Sequence, residues 1–322
     1  GYNLPQGLDV ISALVEMGYY ASFDILGEDA NSVEGANLAM FSYCNAIDDI
    51  AKRFKFGHHP HQRPVSVSVK PSAICYVHQS GIINPKTGKG TEITFDPNTP
   101  LDERLRDISA IADERRVDVT LDMEDHRYTD ISLEAADSVW YQGYHNLGLV
   151  LQSSLNRTLG DVVHLGDLSS GCNSPWNFRV RACRGIYTEP RDMSVGRREA
   201  KRRLVQDIHD LFDAGAYVEI ATHDKSVIKK LQEGVLQDVP REQYEFQFLL
   251  GVPVAENFLA PMLKDEGHVV RFYTPVQLID GAGIKYMRRR LTENWLMMFQ
   301  GATTFGRKSL AKNIREELRN AA

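Results

Sequence analysis

The stretch Tyr217-Val-Glu-Ile-Ala-Thr-His-Asp-Lys-Ser-Val-Ile-Lys-Lys-Leu-Gln-Glu233 contains the unit that decides the fold. Its first five residues are rich in β-branched, aromatic and apolar side chains, which is typical of a strand. The segment Lys225–Glu233 has the polar, periodic pattern of a helix. A strand followed closely by a helix is one βα unit, and repeats of this unit predict a parallel sheet with right-handed crossovers.

Seven further runs of the chain have the same strand-like composition, with longer polar segments between them. The eight predicted strands are Tyr19–Ile25, Val65–Val69, Val117–Leu121, Leu147–Leu151, Phe178–Ala182, Tyr217–Ala221, Glu245–Leu249 and Val269–Tyr273. The helices predicted between them include Ser32–Phe54, Leu101–Arg116, Leu133–Gln142, Val195–Ala214 and Lys225–Glu233. Eight βα units close naturally into a (βα)8 barrel.

The alternative architecture is an open doubly wound sheet, which would carry a GxGxxG turn after a strand. The nearest glycine-rich stretch, Gly281-Ala-Gly283, follows the eighth predicted strand and lacks that spacing. The sequence therefore favours an α/β fold of the barrel type, with residues 1–322 as a single domain. A polar segment surrounds the second strand, and Asn84-Pro-Lys-Thr-Gly88 within it has the chemistry of a turn.

Composition narrows the class of protein. Apolar residues make up 43% of the 322 residues, charged residues make up 25%, and the net charge is −6. These values are typical of a soluble globular protein and give no reason to expect a nucleic acid partner. The sequence contains no run of about 18 apolar residues, so no membrane-spanning helix is predicted.

Cysteine and histidine usage predicts neither a disulfide scaffold nor a metal site. The four cysteines are Cys44, Cys75, Cys172 and Cys183. They lack CxxC spacing, which is typical of reduced thiols in an intracellular protein. His58, His59 and His61 flank Pro60 without a nearby cysteine or carboxylate, so we expect no metal there.

Polar side chains end nearly every predicted strand, and in a barrel these carboxyl ends carry the chemistry. The strand-end residues are Lys70, Asp122, Glu124, Gln152, Arg181, Arg184, Thr222, His223, Gln247 and Tyr273. Any one of them alone is more often a structural residue of the rim. Together, the cations predict a positive potential suited to a ligand with phosphates and a carboxylate. Asp122, Glu124 and Glu28 are expected to hold some of these cations in place.

A second source of cations is Tyr286-Met-Arg-Arg-Arg-Leu-Thr-Glu-Asn294, where three consecutive arginines lie inside a helical pattern. Arg289 and Arg290 precede Glu293 at helical spacing. Guanidinium groups bind a carboxylate through two parallel hydrogen bonds, so this segment could clamp a small acid substrate. The alternative is a solvated basic face of a helix.

Taken in chain order, the strand-end motifs resemble those of the proline dehydrogenase family of flavoenzymes. The matching segments are Phe23-Asp-Ile-Leu-Gly-Glu28, Val67-Ser-Val-Lys-Pro71, Leu121-Asp-Met-Glu124, Val150-Leu-Gln152, Val180-Arg-Ala-Cys-Arg-Gly-Ile-Tyr187, Ala221-Thr-His-Asp224, Glu245-Phe-Gln247, Arg271-Phe-Tyr-Thr-Pro-Val276 and Arg289-Arg-Leu-Thr-Glu-Asn294. The resemblance implies a distorted (βα)8 barrel with its last helix over the C-terminal mouth. It also implies noncovalent binding of FAD and oxidation of L-proline to Δ1-pyrroline-5-carboxylate.

The resemblance implies roles for residues around the substrate. Arg289 and Arg290 would pair with the proline carboxylate, and Lys70 would complete the cationic wall. Asp122 would hold Lys70 and neighbouring arginines by ion pairing. The rest of the substrate site would comprise Tyr273, Tyr286 and Leu249 against the pyrrolidine ring, and Glu28 as a gate that pairs with Arg289.

On the cofactor side, the resemblance implies that Arg181 lies near flavin N5, where it would stabilise charge that develops on the ring. Gln152 would bond to the isoalloxazine edge. The remaining FAD-binding residues would be Cys183, Arg184, Gly185, Tyr187, Thr222, His223, Asp224 and Gln247. The expected electron acceptor is one such as a quinone. The expected location is the cytoplasm, with peripheral contact to an inner membrane, or the mitochondrion of a eukaryote.

Several positions depart from the family pattern and indicate a divergent member. Arg184 stands where the family has a lysine, Thr188 where it has a tryptophan, and Asp224 where it has an asparagine. One alternative is therefore the same chemistry on a modified proline or another cyclic imino acid. Two further alternatives are a lyase that forms a Schiff base on Lys70 and a relic that binds a ligand without turning it over.

Overall fold

The computed structural model describes residues 3–56, 61, 63–82, 90–169 and 178–277. Within these ranges the strands are β1 (Tyr20–Ile25), β2 (Val65–Val69), β3 (Val77–Ser80), β4 (Glu92–Phe95), β5 (Asp118–Leu121), β6 (Leu147–Gln152), β7 (Arg179–Cys183), β8 (Tyr217–Ala221), β9 (Tyr244–Leu249) and β10 (Val270–Val276). All except β3 and β4 pair in parallel and form a closed barrel of eight strands, in which each strand neighbours the next barrel strand along the chain. The closure of β10 onto β1 confirms the predicted barrel over the open sheet.

Helices follow the strands and cover the outside of the barrel. The α-helices of the described residues are α1 (Leu4–Glu16), α2 (Val33–Arg53), α3 (Pro71–Ile74), α4 (Leu101–Glu114), α5 (Thr129–Tyr141), α6 (Thr158–Ser169), α7 (Arg197–Asp213), α8 (Lys225–Glu233) and α9 (Ala260–Asp265). Short 3-10 turns occur at His126–Tyr128, Val235–Gln237 and Arg241–Gln243, and a π-helical turn, Ala255–Leu259, leads into α9. None of the helices that the structure describes combines the length and apolar character needed to cross a bilayer.

The predicted elements lie where the sequence indicates them, and the differences are local. Each predicted strand overlaps one barrel strand, and β10 runs on to Val276 because it pairs with β1 over that whole length. The polar segment after β2 contains the antiparallel hairpin of β3 and β4, which was not predicted. The helix α1 was not predicted either. Its Gly7 packs closely on β10, since a Cβ atom at this position would meet Val276 at 2.6 Å.

Several predictions fall outside the described residues. They concern His58, His59 and Cys172, the turn at 84–88, and the helix of residues 286–294 over the mouth. The other three cysteines, Cys44, Cys75 and Cys183, are free thiols, as predicted.

The interior of the barrel is charged rather than apolar. Arg179 of β7 and Glu219 of β8 point inward, and both are almost fully buried. The Arg179 guanidinium lies 3.0 Å from Glu219 and 3.1 Å from Asp118 of β5. Gly148 makes room for it, because a Cβ atom at that position would lie 2.8 Å from Arg179 Nε. Buried charges of this kind are tolerated only when each has a partner. The ion pairs of Arg179 with Glu219 and Asp118 therefore fix the positions of these three side chains.

Candidate active site

A cavity of about 200 Å³ opens at the C-terminal mouth of the barrel. Its lining residues include Lys70, Asp122, Glu124, Gln152, Arg181, Cys183, Tyr187, His223, Gln247, Leu249 and Tyr273. These residues come from the ends of seven different strands or from the loops that follow them. Parallel strands in a barrel bring their carboxyl ends to one face, which is why positions far apart in sequence meet here.

Asp122 is the residue on which three functional side chains converge. Its Oδ1 accepts a hydrogen bond of 2.6 Å from Arg181 Nη1, and its Oδ2 accepts one of 2.7 Å from the Tyr273 hydroxyl. Lys70 Nζ lies 3.8 Å from Oδ2. The predicted ion pairing of Asp122 with Lys70 and an arginine is therefore what the structure contains. Burial, reinforced by the charge of Asp122, raises the pKa of Tyr273 well above its usual value, so its hydroxyl stays protonated.

Lys70 has a nearer partner, Asp24, which is not among the residues predicted from the sequence. Lys70 Nζ donates a short hydrogen bond to Asp24 Oδ1, and Asp24 is completely buried. Burial alone would lower the pKa of Lys70, but the carboxylates of Asp24 and Asp122 outweigh it and raise the pKa. Lys70 is thus a protonated cation. A Schiff-base lysine needs a neutral amine, so this environment argues against the lyase alternative.

Side chains inside the barrel hold Arg181 in place. Two of them, Glu219 and Ser68, were not predicted from the sequence. Its Nε donates to Gln247 Oε1 at 2.6 Å and to Glu219 at 3.2 Å, and its Nη2 donates to the Ser68 hydroxyl at 3.1 Å. Burial would lower the pKa of Arg181, but Asp122 and Glu219 raise it above the usual value. The guanidinium is therefore permanently charged and fixed in orientation.

The remaining residues of the mouth cavity have distinct partners. Gln152 Nε2 donates to the Glu124 carbonyl at 2.8 Å, and His223 Nε2 accepts from the Leu249 backbone N–H at 3.1 Å. Glu124 was expected to hold a cation, and among the described residues it pairs with none. Both of its carboxylate oxygens accept instead from Ser72, because the buried end of β5 faces the start of α3.

A second cavity of about 570 Å³ adjoins the first and shares four lining residues with it: Cys183, Ile186, Ala221 and His223. The predicted residues Arg184, Gly185, Thr222 and Asp224 line this second cavity. Its wall also contains cations that were not predicted, namely Arg197, Lys201 and Lys225. Burial and the neighbouring charge of Arg197 lower the pKa of Arg184. A concentration of like charges in a concave wall attracts an anion.

Two residues of the second cavity have local structural reasons for their identity. Gly185 has φ +93°, and a Cβ atom there would lie 3.1 Å from Gln152 Oε1, so the position requires glycine. Asp224 does not add an uncompensated negative charge to this cavity. It pairs with Lys201 and caps α8 by accepting from the Ser226 N–H at 3.0 Å. Burial would raise its pKa, but these partners lower the pKa of Asp224 to about 2.

The structure leaves some predicted site residues away from the two cavities. Glu28 is exposed and does not line either cavity, but the backbone N–H of the next residue, Asp29, donates to Ser72, which follows Lys70 by two residues. The residues Tyr286, Arg288, Arg289, Arg290 and Glu293 lie outside the described residues.

A barrel with fixed ionic groups in its mouth and a contiguous basic cavity is the architecture of an enzyme that binds a small acid beside a phosphate-bearing cofactor. The chain belongs to the proline dehydrogenase family, whose model matches residues 8–195 and 198–298. This match confirms the resemblance read from the strand-end motifs. The family is flavin-dependent.

Individual relatives agree with this assignment. The chain is 28% identical to "Proline dehydrogenase" of Deinococcus radiodurans over 278 residues, which cover 85% of this chain and 79% of the relative. It is 26% identical to "Proline dehydrogenase 1" of Bacillus subtilis strain 168, over 91% of this chain and 84% of the relative. Identities this low are consistent with the divergence seen at Arg184, Thr188 and Asp224.

Solved structures show the same fold. Proline utilization A (PutA) from Bdellovibrio bacteriovorus, inactivated by N-propargylglycine, superposes with a TM-score of 0.75 at 22% identity. The alignment covers 96% of this chain but 35% of that chain. A PutA from Bradyrhizobium japonicum, the D778Y mutant, gives a TM-score of 0.70 at 20% identity over 98% of this chain and 32% of that one. This chain thus spans about a third of either PutA protein.

Proposed function

We propose that this chain oxidises L-proline to Δ1-pyrroline-5-carboxylate with FAD as the bound oxidant. The observation that carries the proposal is the convergence of Lys70, Arg181 and Tyr273 on Asp122 at the barrel mouth. One site there offers a cation for a carboxylate, an aromatic ring for a pyrrolidine ring, and a second cation, Arg181, in the wall of the same cavity. A family match over nearly the whole described chain supports the same reaction.

The residues of the two cavities fit FAD. The mouth cavity is bounded by Gln152, Arg181 and Tyr187, which offer hydrogen bonds and an aromatic face to a flat ring system. The larger cavity offers cations for a diphosphate, and Gly185 leaves the backbone open to close approach. Because the cavities share a wall at Cys183, one extended molecule can occupy both. We therefore assign Gln152, Arg181 and the predicted residues from Cys183 to Gln247 to cofactor binding.

The substrate would be positioned by charge and by packing. Lys70, held by Asp24 and Asp122, would bind the proline carboxylate together with Arg289 and Arg290. The Tyr273 ring and the Leu249 side chain would pack on the pyrrolidine ring, since both line the same cavity as Lys70. Holding the hydride-donating carbon of proline close to the flavin in this way replaces a costly bimolecular encounter with a fixed geometry.

Bound FAD would supply the hydride acceptor, which no protein side chain can provide. Arg181 would stabilise the negative charge that develops beside it during transfer, and its fixed orientation means that no reorganisation is needed at that moment. The Tyr273 hydroxyl would stay protonated and keep Asp122 oriented toward Lys70. The walls of the mouth cavity would exclude water from the reacting atoms.

Further parts of the proposal concern the chain as a whole. We propose that residues 1–322 form one catalytic domain, because the described strands close into a single barrel. The quinone acceptor and the peripheral membrane contact stay predictions.

The test is anaerobic reduction of the flavin by a panel of cyclic imino acids. Purified protein is expected to show flavin absorbance, which L-proline should bleach at lower concentrations than hydroxyproline, N-methylproline or pipecolate. D-proline serves as the stereochemical control. A flavin that hydroxyproline or pipecolate reduces while L-proline does not would refute the substrate assignment, and protein that binds no flavin would refute the cofactor assignment.

A further inference from the structure

Glu124 is a buried carboxylate at the end of β5 that the proposed chemistry does not use. Glu124 is only 6% exposed, although it lines the mouth cavity. Oε1 accepts from the Ser72 hydroxyl at 2.8 Å, and Oε2 accepts from the Ser72 backbone N–H at 2.9 Å. A buried carboxylate needs such partners, so the geometry ties the end of β5 to the start of α3.

Ser72 passes this connection on to the segment that follows β1. The backbone N–H of Asp29 donates to the Ser72 hydroxyl at 3.0 Å, and the N–H of Ala30 donates to the Ser72 carbonyl at 2.8 Å. Asp29 has φ +55°, a conformation that costs a non-glycine residue about 1 kcal/mol or more. Its two neighbouring hydrogen bonds hold this backbone in place. Residues 26–30, which we term the Glu28 loop, are therefore tied to Val276 at Leu26 and to Ser72 at Asp29 and Ala30.

Glu28 lies at the exposed part of this loop and acts electrostatically on the mouth. The hydrogen bonds of Asp29 and Ala30 to Ser72, two residues after Lys70, bring the loop to the Lys70 end of β2, and the charge of Glu28 contributes to the raised pKa of Lys70. Burial, together with the carboxylates of Asp29 and Glu28, raises the pKa of Glu124 to about 7, although Ser72 opposes this shift. Three carboxylates thus share one corner of the mouth, and the hydrogen bonds through Ser72 oppose their mutual repulsion.

We propose that Glu124 is a positioning residue for substrate binding: acting through Ser72, its carboxylate holds the Glu28 loop and so sets where Glu28 lies relative to Lys70. The inference rests on the proposed function, in which Lys70 binds the substrate carboxylate. A loosened loop would have to be ordered again when substrate binds, so substrate would bind less tightly. The expected effect therefore falls on KM, while kcat for bound substrate changes little.

The first experiment follows the loop itself and does not require turnover. Amide hydrogen exchange of a peptide covering residues 26–32 is compared in the flavin-loaded wild type, Glu124→Gln and Ser72→Ala. Loss of a hydrogen bond network of this size is expected to speed exchange at Asp29 and Ala30 by roughly tenfold in both variants. The matched control is Asp161→Asn, another carboxylate that is 6% exposed, located on α6 and paired with Arg157. Exchange within twofold of the wild type in both mouth variants would overturn the proposal.

The second experiment asks whether Glu124 acts through Glu28. KM for L-proline is measured in Glu124→Gln, in Glu28→Gln and in the double variant. Glu124→Gln is expected to raise KM about fivefold with kcat within twofold, and to have no further effect when Glu28 is already neutral. An equal rise in KM in both backgrounds would contradict action through Glu28. If the wild type does not oxidise proline, the proposed reaction fails, and the exchange experiment still decides the role of Glu124 in the loop.

Discussion

Replacing Lys70 with methionine is expected to destabilise the folded protein strongly, and to do so in a manner that depends on pH. The substitution keeps the length of the side chain but removes the cation that the buried carboxylate of Asp24 contacts. Asp122 loses the same cation at 3.8 Å but keeps Arg181 at 2.6 Å. The cost therefore falls on Asp24.

The magnitude follows from what an unpaired buried carboxyl does. Rather than remain charged, Asp24 would take up a proton, which at pH 7 costs up to about 4 kcal/mol from a reference pKa near 3.9. Removing one partner of a buried ion pair costs about 3–5 kcal/mol, which agrees. At pH 5 the same protonation costs only about 1.5 kcal/mol. Burial already raises the pKa of Asp24 in the wild type, although Lys70 opposes this shift, and removal of Lys70 raises the pKa further, so the loss of stability grows as pH rises above the unfolded pKa of about 4.

The assay is urea unfolding at pH 5 and pH 7, followed by far-ultraviolet circular dichroism. The series comprises the wild type, Lys70→Met, Asp24→Asn and the double variant, which should regain stability because it leaves no unpaired carboxylate. Lys52→Met is the control, since the Lys52 side chain is 74% exposed and its pair with Asp49 should contribute about 1 kcal/mol or less. An equal loss at both pH values, or losses that add in the double variant within about 0.5 kcal/mol, would refute the pairing of Lys70 with Asp24.

Three further predictions concern single residues. The folded pKa of Glu124, about 7, lies above the usual 4.5, so the stability of the wild type should fall by up to about 3 kcal/mol between pH 4.5 and 7. Glu124→Gln should flatten this dependence of stability on pH in urea unfolding, and an unchanged dependence would contradict the raised pKa. Arg181→Met should slow flavin reduction in single-turnover stopped flow by roughly 100-fold and weaken proline binding less, and an unchanged reduction rate would remove Arg181 from the mechanism. Arg290→Ala should raise KM for proline by about 30-fold or more while FAD stays bound, because a desolvated charged contact contributes about 2–5 kcal/mol; unchanged affinity would contradict the carboxylate clamp.

The barrel strands could be predicted because each is a short apolar run between polar segments. The elements that escaped prediction carry weaker signals. The strands β3 and β4 are largely exposed and include polar residues, so their composition differs little from that of a loop. The helix α6 contains Gly160 and Gly166, and each glycine costs a helix about 1 kcal/mol relative to alanine.

The residues of the candidate site also fall into two groups, those that the sequence predicts and those that it does not. Lys70, Asp122 and Arg181 stand at or near strand ends, where barrel geometry alone points to function. Asp24 and Glu219 lie inside strands, and their partners are 46 and 38 residues away in sequence. The parallel pairing of β1 with β2 and of β7 with β8 brings these pairs together, and its register is not visible in the sequence. A charged residue within an apolar strand such as Tyr20–Ile25 is the one local signal that could have revealed Asp24.

None of the three departures from the family pattern lies in the wall of the mouth cavity, where we propose that the substrate binds. Arg184 and Asp224 line the larger basic cavity, and Thr188 is exposed and lines neither cavity. Lys201 pairs with Asp224, so a residue of the same cavity wall neutralises the negative charge of Asp224. The walls of the mouth cavity, by contrast, keep the residues that the family motifs predict. Under the proposed function, the changes at Arg184 and Asp224 therefore bear on how the phosphate-bearing part of the cofactor is held. It gives no reason to replace proline by a modified imino acid as the proposed substrate.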